Sequence, residues 1–279
     1  METMKLTFVN VGYGEAIVVE CPDAGCRDGR FVMVIDGGSG EAGEYADRTS
    51  GRQTLLEYLE SSQIGHIDCM VSTHIHEDHI CGLLPAAELW QTLPVDFFQR
   101  SMHILDDSQA KTPSEEKFMR ALNDYQKLCG LVCREGGAVR CLHAGETVSP
   151  CAGLSCQVLA PSEQSADELE SRCHDQFAER DIAAFFKKLD ALDARMNNFS
   201  LVLRLDYGKT SVLLPGDTNR VGYGDIDPAA LRADLFKIGH HGQKDGTDAA
   251  LLDAIRPRAV VCCASSDRRY NSAHPDALA

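Results

Sequence analysis

No apolar run in this 279-residue chain approaches the ~20 residues needed to cross a bilayer. The N-terminal METMKLTFVNVGYGEAIVVE carries one lysine before a short apolar stretch that glycines, Asn10 and Glu15 interrupt. It reads as a pair of strands, not a signal peptide, and the expected location is cytoplasmic, with no membrane partner. Also missing are a Cys-x-x-Cys pair, a low-complexity tract and a block of like charges. The twelve cysteines are scattered through a large chain without an export signal. They are therefore expected to be reduced and mostly buried, Cys262 and Cys263 among them in an apolar core strand, AVVCCA.

Positive charge is scarce: 27 Lys and Arg stand against 42 Asp and Glu, a formal charge of -15. Broad, nonspecific adhesion to nucleic acid or anionic lipid rests on neutralising phosphates with basic side chains, so none is expected. A phosphate substrate is not excluded, because bound divalent ions can reverse the local field. Two catalytic signatures are absent as well. There is no G-x-S-x-G elbow and no G-x-x-x-x-G-K phosphate loop, and Gly12-Tyr13-Gly14-Glu15 reads as a turn between strands.

What is present is an ordinary hydrophobic fraction of 44%, enough for a sizeable core. KLTFVNV, AIVVEC and RFVMVIDGG read as strands, RQTLLEYLESS as a helix and IDCMVSTH as a further strand. Gly37 and Gly38 mark a tight turn that leaves Asp36 at a strand end. CGLLPAAELWQTL and PSEEKFMRALNDYQKLC follow with helical spacing, the second with Ser114 as its cap. Residues 162–195 read as a flexible lead-in plus a helix in DIAAFFKKLDALDARM, able to act as a lid. FSLVLRLDYGKTSVLLPGD then gives a hairpin, ADLFKIGHHG a strand, AALLDAIRP a helix and AVVCCA a last strand. No linker interrupts the pattern, so residues 1–279 are expected to form one domain.

The stretch THIHEDHICG, residues 73–82, packs three histidines and two acids into seven positions. In an extended segment His74 and His76 point to the same side and can meet one ion. If the chain turns next, Asp78 and His79 can serve a neighbouring ion. Imidazole suits zinc, and carboxylates add oxygen or bridge two ions. Completing two sites needs ligands from other strand ends. Asp217 after VLLPG and His240 after LFKIG stand where loops gather on a layered scaffold.

Together these segments resemble the metallo-β-lactamase-fold hydrolases, and within them the soluble domain of ComEC-type competence proteins. The likeness rests on FVNVGYGEAIVVE, VIDGG, THIHEDHICGLL, NNFSLVLRL, LLPGD, ADLFKIGHHG and RYNSAHP. It implies an α/β fold, a four-layer αββα sandwich with two divalent metal ions at one edge. Zinc is the expected ion, with manganese or iron as alternatives. His74 and His76 would hold one ion, Asp78, His79 and His240 the other, and Asp217 would bridge them.

The resemblance further implies hydrolysis by a metal-activated water. Asp78 would steer the nucleophile, Asp36 would orient the ligand loop, and His241 or His274 would protonate the leaving group. The family's third histidine on the first ion has no clear counterpart: His103, His143 and His174 are the candidates. Cys81 stands where a small residue is common, and His66 is unassigned. The chain stops soon after His274, which suggests a shortened C-terminal edge. The expected substrate is a small phosphodiester, nucleotide or oligonucleotide. The alternatives are a lactone, thioester or β-lactam, or a metal-binding sensor or partner module without turnover.

Overall fold

The computed structural model describes residues 3–86, 104–137, 139–224 and 226–278. Two sheets carry the fold. The first holds β1 (Lys5–Phe8), β2 (Ala16–Pro22), β3 (Arg30–Gly37) and β4 (Cys69–Val71) in that spatial order, with β4 parallel to β3. The second holds β5 (Thr147–Cys151), β6 (Leu154–Ala160), β7 (Val202–Tyr207), β8 (Thr210–Leu214), β9 (Leu235–Lys237) and β10 (Ala259–Val261) in the order β10-β9-β8-β7-β6-β5. The turn between β7 and β8 pairs Tyr207 with Thr210, which leaves Gly208-Lys209 as a two-residue hairpin loop, with Gly208 at φ 61°.

Successive side chains of a strand point to opposite faces, and β2 and β3 use both. Ile17, Val19, Cys21, Phe31, Met33 and Ile35 face Leu154, Val158, Leu203, Leu205, Val212 and Leu214 of the second sheet, all buried. Their neighbours Val18, Val32 and Val34 face the helices outside the first sheet. Val202, Leu213 and Phe236 face the opposite way, toward Ile255 of α7 (Ala249–Ile255). This is why the β2 and β3 segments read as unbroken apolar runs: both faces are covered. Helices, two sheets and helices make the four-layer α/β sandwich that the sequence implied.

The helical layer on the first sheet contains α1 (Leu55–Ser61), α2 (Glu77–Ile80), α3 (Leu83–Ala86), α4 (Pro113–Arg134), α5 (Glu163–Ala178) and α6 (Ile182–Met196). A last short helix, α8 (Pro275–Leu278), follows β10 and α7 in the chain. Phe118, Leu122, Phe186, Leu189 and Met196 bury the apolar stripes of α4 and α6 in one core with Val18 and Val34.

Four expectations need correction or restriction. The cap of α4 is Thr112, not Ser114: its side chain accepts from Glu115 N while the Glu115 carboxylate accepts from Thr112 N, with Pro113 in the first turn. Residues 162–195 form two helices, not a flexible lead-in and one, because Ser162 and Asp181 each cap a helix of their own. AVVCCA is an edge strand: Val260 is 46% exposed, and Cys262 and Cys263 are only partly buried. Of the helix expected from CGLLPAAELWQTL, Leu83–Ala86 is present and residues 87–93 lie outside the described residues. All twelve cysteines are free and five of them are buried, so the expectation of general burial does not hold. No helix among the described residues is long and apolar enough to cross a membrane.

Candidate metal centre

Strand β4 delivers the chain to Thr73, and the backbone stays extended as far as His76 (φ -116°, ψ 156°) before turning into α2. His79 N and Ile80 N both donate to His76 O, which closes that turn and swings Asp78 and His79 away from the His74–His76 line. The loop after β3 crosses the same segment. Gly82 N donates to Gly38 O at 2.8 Å, and a side chain on Gly37 or Gly82 would collide with the other's backbone. Glu77, 8% exposed, ties this crossing by accepting from Ser39 Oγ at 2.6 Å and Gly40 N at 2.8 Å.

Asp36, fully buried at the end of β3, sets the orientation of the histidine segment. Its carboxylate accepts from Thr73 N at 2.8 Å, Thr73 Oγ1 at 2.6 Å and His79 Nδ1 at 2.7 Å. With Nδ1 spent on Asp36, His79 turns Nε2 toward the second sheet. From that sheet His241 answers: its Nδ1 donates to Cys263 O at 2.9 Å, so its Nε2 is the atom that faces His79. A carbonyl can only accept, which fixes where the His241 proton sits.

Asp78, His79, Asp217 and His241 thereby bring four ligand atoms within 4.8 Å of one another. His241 Nε2 lies 2.9 Å from Asp217 Oδ2 and 3.1 Å from Asp78 Oδ2, and His79 Nε2 lies 3.3 Å from Asp217 Oδ2. The two Nε2 atoms approach to 3.2 Å. Two ring nitrogens at that distance need a proton or a cation between them. Asp217 Oδ2 is the one oxygen that both Nε2 atoms approach. Imidazole nitrogen and carboxylate oxygen are the donor set of zinc and of manganese or iron, so these residues fit a divalent ion.

Electrostatics agree with the geometry. Burial disfavours charge on His241, but Asp217 and Asp78 outweigh it and push the imidazole up to about 9. Burial likewise opposes charge on His79, yet Asp217, Asp36 and Asp78 raise it well above the ordinary histidine range. Burial would keep Asp217 protonated, and His241, His79 and Lys237 reverse that and hold it well below the carboxylate range. The carboxylates thus draw positive charge onto the two imidazoles, a place that a divalent ion would take from the protons.

His74 and His76 stand beside this group, His74 with its ring 4.2 Å from that of His79. His74 Nε2 meets His76 Nδ1 at 3.0 Å. Burial, with His79 and His76 adjacent, drives His74 well below its usual pKa, so it offers a lone pair. The far nitrogen of His76 meets Asp193 Oδ1 of α6 at 3.1 Å. Asp193 had no signal in the sequence beyond one acid in a charged helix.

The adjacent pair of histidines is the main correction. His240 was expected to join the ion and His241 to protonate the leaving group, and the structure instead brings His241 into the cluster with Asp78, His79 and Asp217 and leaves His240 outside it. Both residues are left-handed (φ 51° and 50°), which turns the His241 ring inward, fully buried. His240 is instead held by Asn197 Nδ2 at 3.0 Å and Asp245 Oδ1 at 2.9 Å. His274 does not reach the cluster with its side chain. Its Nδ1 accepts from Asp276 N, while its backbone N donates to Gly242 O and braces the His241 turn. Of the candidate third histidines, His143 bonds the carbonyl of Ala144 and His174 sits beside Glu170 on α5. His103 lies outside the described residues. His66 is buried against Arg30 O, and Cys81 is buried in the helix-side core.

A further charge was readable but unread. Lys237, in the apolar LFK of β9, is fully buried and pairs with the equally buried Glu15. Its ammonium also donates to Gly216 O at 2.9 Å and lies 3.5 Å from Asp217 Oδ1. That fixes which carboxylate oxygen, Oδ2, turns to the histidines. The cluster opens into a cleft of about 550 Å³ whose wall includes Tyr13, His76, Asp78, Lys117, Asp193, Asn197, Asp217, Arg269 and Tyr270.

Comparison with known proteins places this arrangement. Residues 10–95 match the Metallo-beta-lactamase superfamily. The chain is 22% identical over 282 aligned positions, 98% of its own length, to ComE operon protein 3 of Bacillus subtilis. It is 35% identical over 75 residues, 27% of its length, to Recombination protein 2 of Haemophilus influenzae. The alignments cover 30% and 9% of those relatives. A solved structure of a diphosphatase from the PhnP family aligns with 95% of this chain and 85% of its own at 12% identity, with a TM-score of 0.43. The two-sheet α/β sandwich thus carries a histidine and aspartate cluster suited to a divalent ion, in a chain whose residues 10–95 match the Metallo-beta-lactamase superfamily and which is similar along nearly its whole length to ComE operon protein 3.

Proposed function

We propose that this chain is a metal-dependent hydrolase of phosphodiesters, acting on a nucleotide, an oligonucleotide or another small diester. The observation that carries the reading is the facing pair of Nε2 atoms on His79 and His241, flanked by Asp78 and Asp217. His79, His241, Asp78 and Asp217 would hold one ion, and His74 with His76 would contribute to a second beside it. Zinc is the preferred ion, with manganese or iron as alternatives. When bound, such ions lower the pKa of water and polarise phosphoryl oxygens.

The chain's own groups supply the rest. Asp36 and Cys263 O hold the two imidazoles in one tautomer, and Lys237 holds Asp217. Such outer partners typically matter ~10–100-fold to metal affinity or activity. Of the two cluster carboxylates that line the cleft, Asp78 is the more exposed, 17% at its side chain against 4% for Asp217. It is placed to take the proton of an attacking water. A pair of metal ions would suit in-line displacement at phosphorus, which favours a phosphodiester over a lactone, thioester or β-lactam. The open cleft among the described residues supports turnover over a blocked, non-catalytic module, since α5 and α6 do not fill it.

The test is hydrolysis of bis(p-nitrophenyl) phosphate by protein reconstituted with zinc or manganese, beside Asp217→Asn. Turnover that is lost in the variant and on chelation is expected. Absence of turnover with either metal, or turnover that survives Asp217→Asn, contradicts the proposal.

A further inference from the structure

One side of the cleft carries a row of rings leading out from the metal centre. The Tyr13 ring lies 4.7 Å from that of His241, and Tyr270 lies 5.0 Å beyond Tyr13, tilted by 58°. The Arg269 guanidinium stands 5.8 Å from the centre of the Tyr13 ring. It is fixed there by Glu44, whose carboxylate is 5% exposed and also accepts from Tyr13 N at 2.8 Å and Arg52 at 3.2 Å. All three of Tyr13, Arg269 and Tyr270 line the cleft with His76, Asp78 and Asp217.

Core packing does not explain this row, because Tyr270 is 59% exposed. Its backbone is strained as well. Arg268, Tyr270, Asn271 and Ala273 adopt φ of 50°, 53°, 59° and 47°, a left-handed region that non-glycine residues seldom occupy and bulky ones least of all. Strain of this kind persists only where the surroundings over-determine it, and it gathers at ligand sites. Here the loop is fastened at both ends. Arg269 is clamped to Glu44 on one side, and Ala273 N and His274 N donate to His241 O and Gly242 O on the other. The result is an aromatic face held open at the mouth of the site.

The charges around it say what kind of group it receives. Among the described residues lining the cleft, the two basic side chains are Lys117 and Arg269, and each is already paired, with Glu41 at 3.1 Å and with Glu44. Among the described lining residues, no lysine or arginine without an acidic partner is left to take a second phosphate. Recognition beyond the scissile diester therefore falls to a flat, uncharged group, and stacking on tyrosine is the contact every nucleobase can make. Resting on the phosphodiester reading above, we infer that Tyr13 and Tyr270 form a stacking subsite for the nucleobase next to the scissile bond, with Arg269 as the brace of Tyr13. Tyr270 is the residue that sets this preference.

Two esters with the same leaving group test it on the full chain reconstituted with zinc or manganese: thymidine 5′-(p-nitrophenyl phosphate) and methyl p-nitrophenyl phosphate. In both, water attacks phosphorus and the bond to p-nitrophenolate breaks, so they differ only in the nucleoside. The wild-type protein is expected to favour the nucleoside ester in kcat/KM. In Tyr270→Ala the ratio of the two kcat/KM values should fall about tenfold, chiefly through KM of the nucleoside ester. Tyr270→Phe should restore it. Equal handling of both esters by the wild type, or an unchanged ratio in Tyr270→Ala, overturns the subsite while leaving a phosphodiesterase in place. Failure to cleave either ester overturns the phosphodiester reading itself, and the subsite with it.

Discussion

The two sides of the metal centre are built differently. On the buried side, Asp78, His79, Asp217 and His241 come from both sheets, and each histidine is pinned through its other nitrogen, by Asp36 or by Cys263 O. On the other side, His74, itself buried, and His76, which lines the cleft, come from one segment, and the outer nitrogen of His76 rests on Asp193, a residue 32% exposed at its side chain on a helix. The first arrangement is preorganised, with both histidines fully buried. The second can adjust with α6. On the two-ion reading proposed above, the centre would hold one ion tightly and bind a second more weakly, with the helical layer influencing only the second.

Mutations break the comparison in order of expected size. His241→Ala removes a ligand of the buried side and should lower kcat/KM by at least about a hundredfold, since a bound ion supplies several kcal/mol to the transition state. His240→Ala, which loses only Asn197 and Asp245 as partners, should stay within about tenfold of wild type by the same conversion. Equal losses in the two variants would contradict the placement of the adjacent histidines. Asp36→Asn should weaken metal affinity by ~10–100-fold, because it frees His79 and the Thr73 backbone together. Asp193→Asn should fall at or below the lower end of that range and act on the weaker ion alone. Competition with a chromophoric chelator reads both, and a larger effect at Asp193 than at Asp36 would invert the comparison.

The smallest effect separates fold from site. Thr112→Ala removes the reciprocal cap of α4 and should cost about 1 kcal/mol of stability, with metal binding unchanged. Ser114→Ala should cost less than half of that, as a surface change outside a cap. Denaturant melts of the two variants decide between the two caps, and equal losses would return Ser114 to that role.

What the sequence made legible follows the same division. His74, His76, Asp78 and His79 were readable because they sit at fixed offsets in one segment, where strand alternation and a following turn decide direction. Asp217 was readable as an acid just past an apolar strand, and Asp36 as one at a strand's end. The choice between His240 and His241 was not, since two consecutive left-handed residues rotate neighbouring side chains in a way that neither strand nor helix periodicity encodes. Asp193 reaches His76 only through the packing of α6, which no local pattern carries. Lys237 did leave a trace, a lysine inside an apolar strand, and the pairing of Thr112 with Glu115 around Pro113 is a legible cap that the nearer Ser114 obscured. AVVCCA misled because an apolar run reports a strand but not whether the sheet continues past it.

The most direct test of the centre is calorimetric titration of zinc into the metal-free chain, wild type beside Asp217→Asn. A tight binding phase in the wild type that disappears in the variant is the predicted result. Indistinguishable titrations, or no tight phase in either, would mean that the facing nitrogens of His79 and His241 are not a metal site.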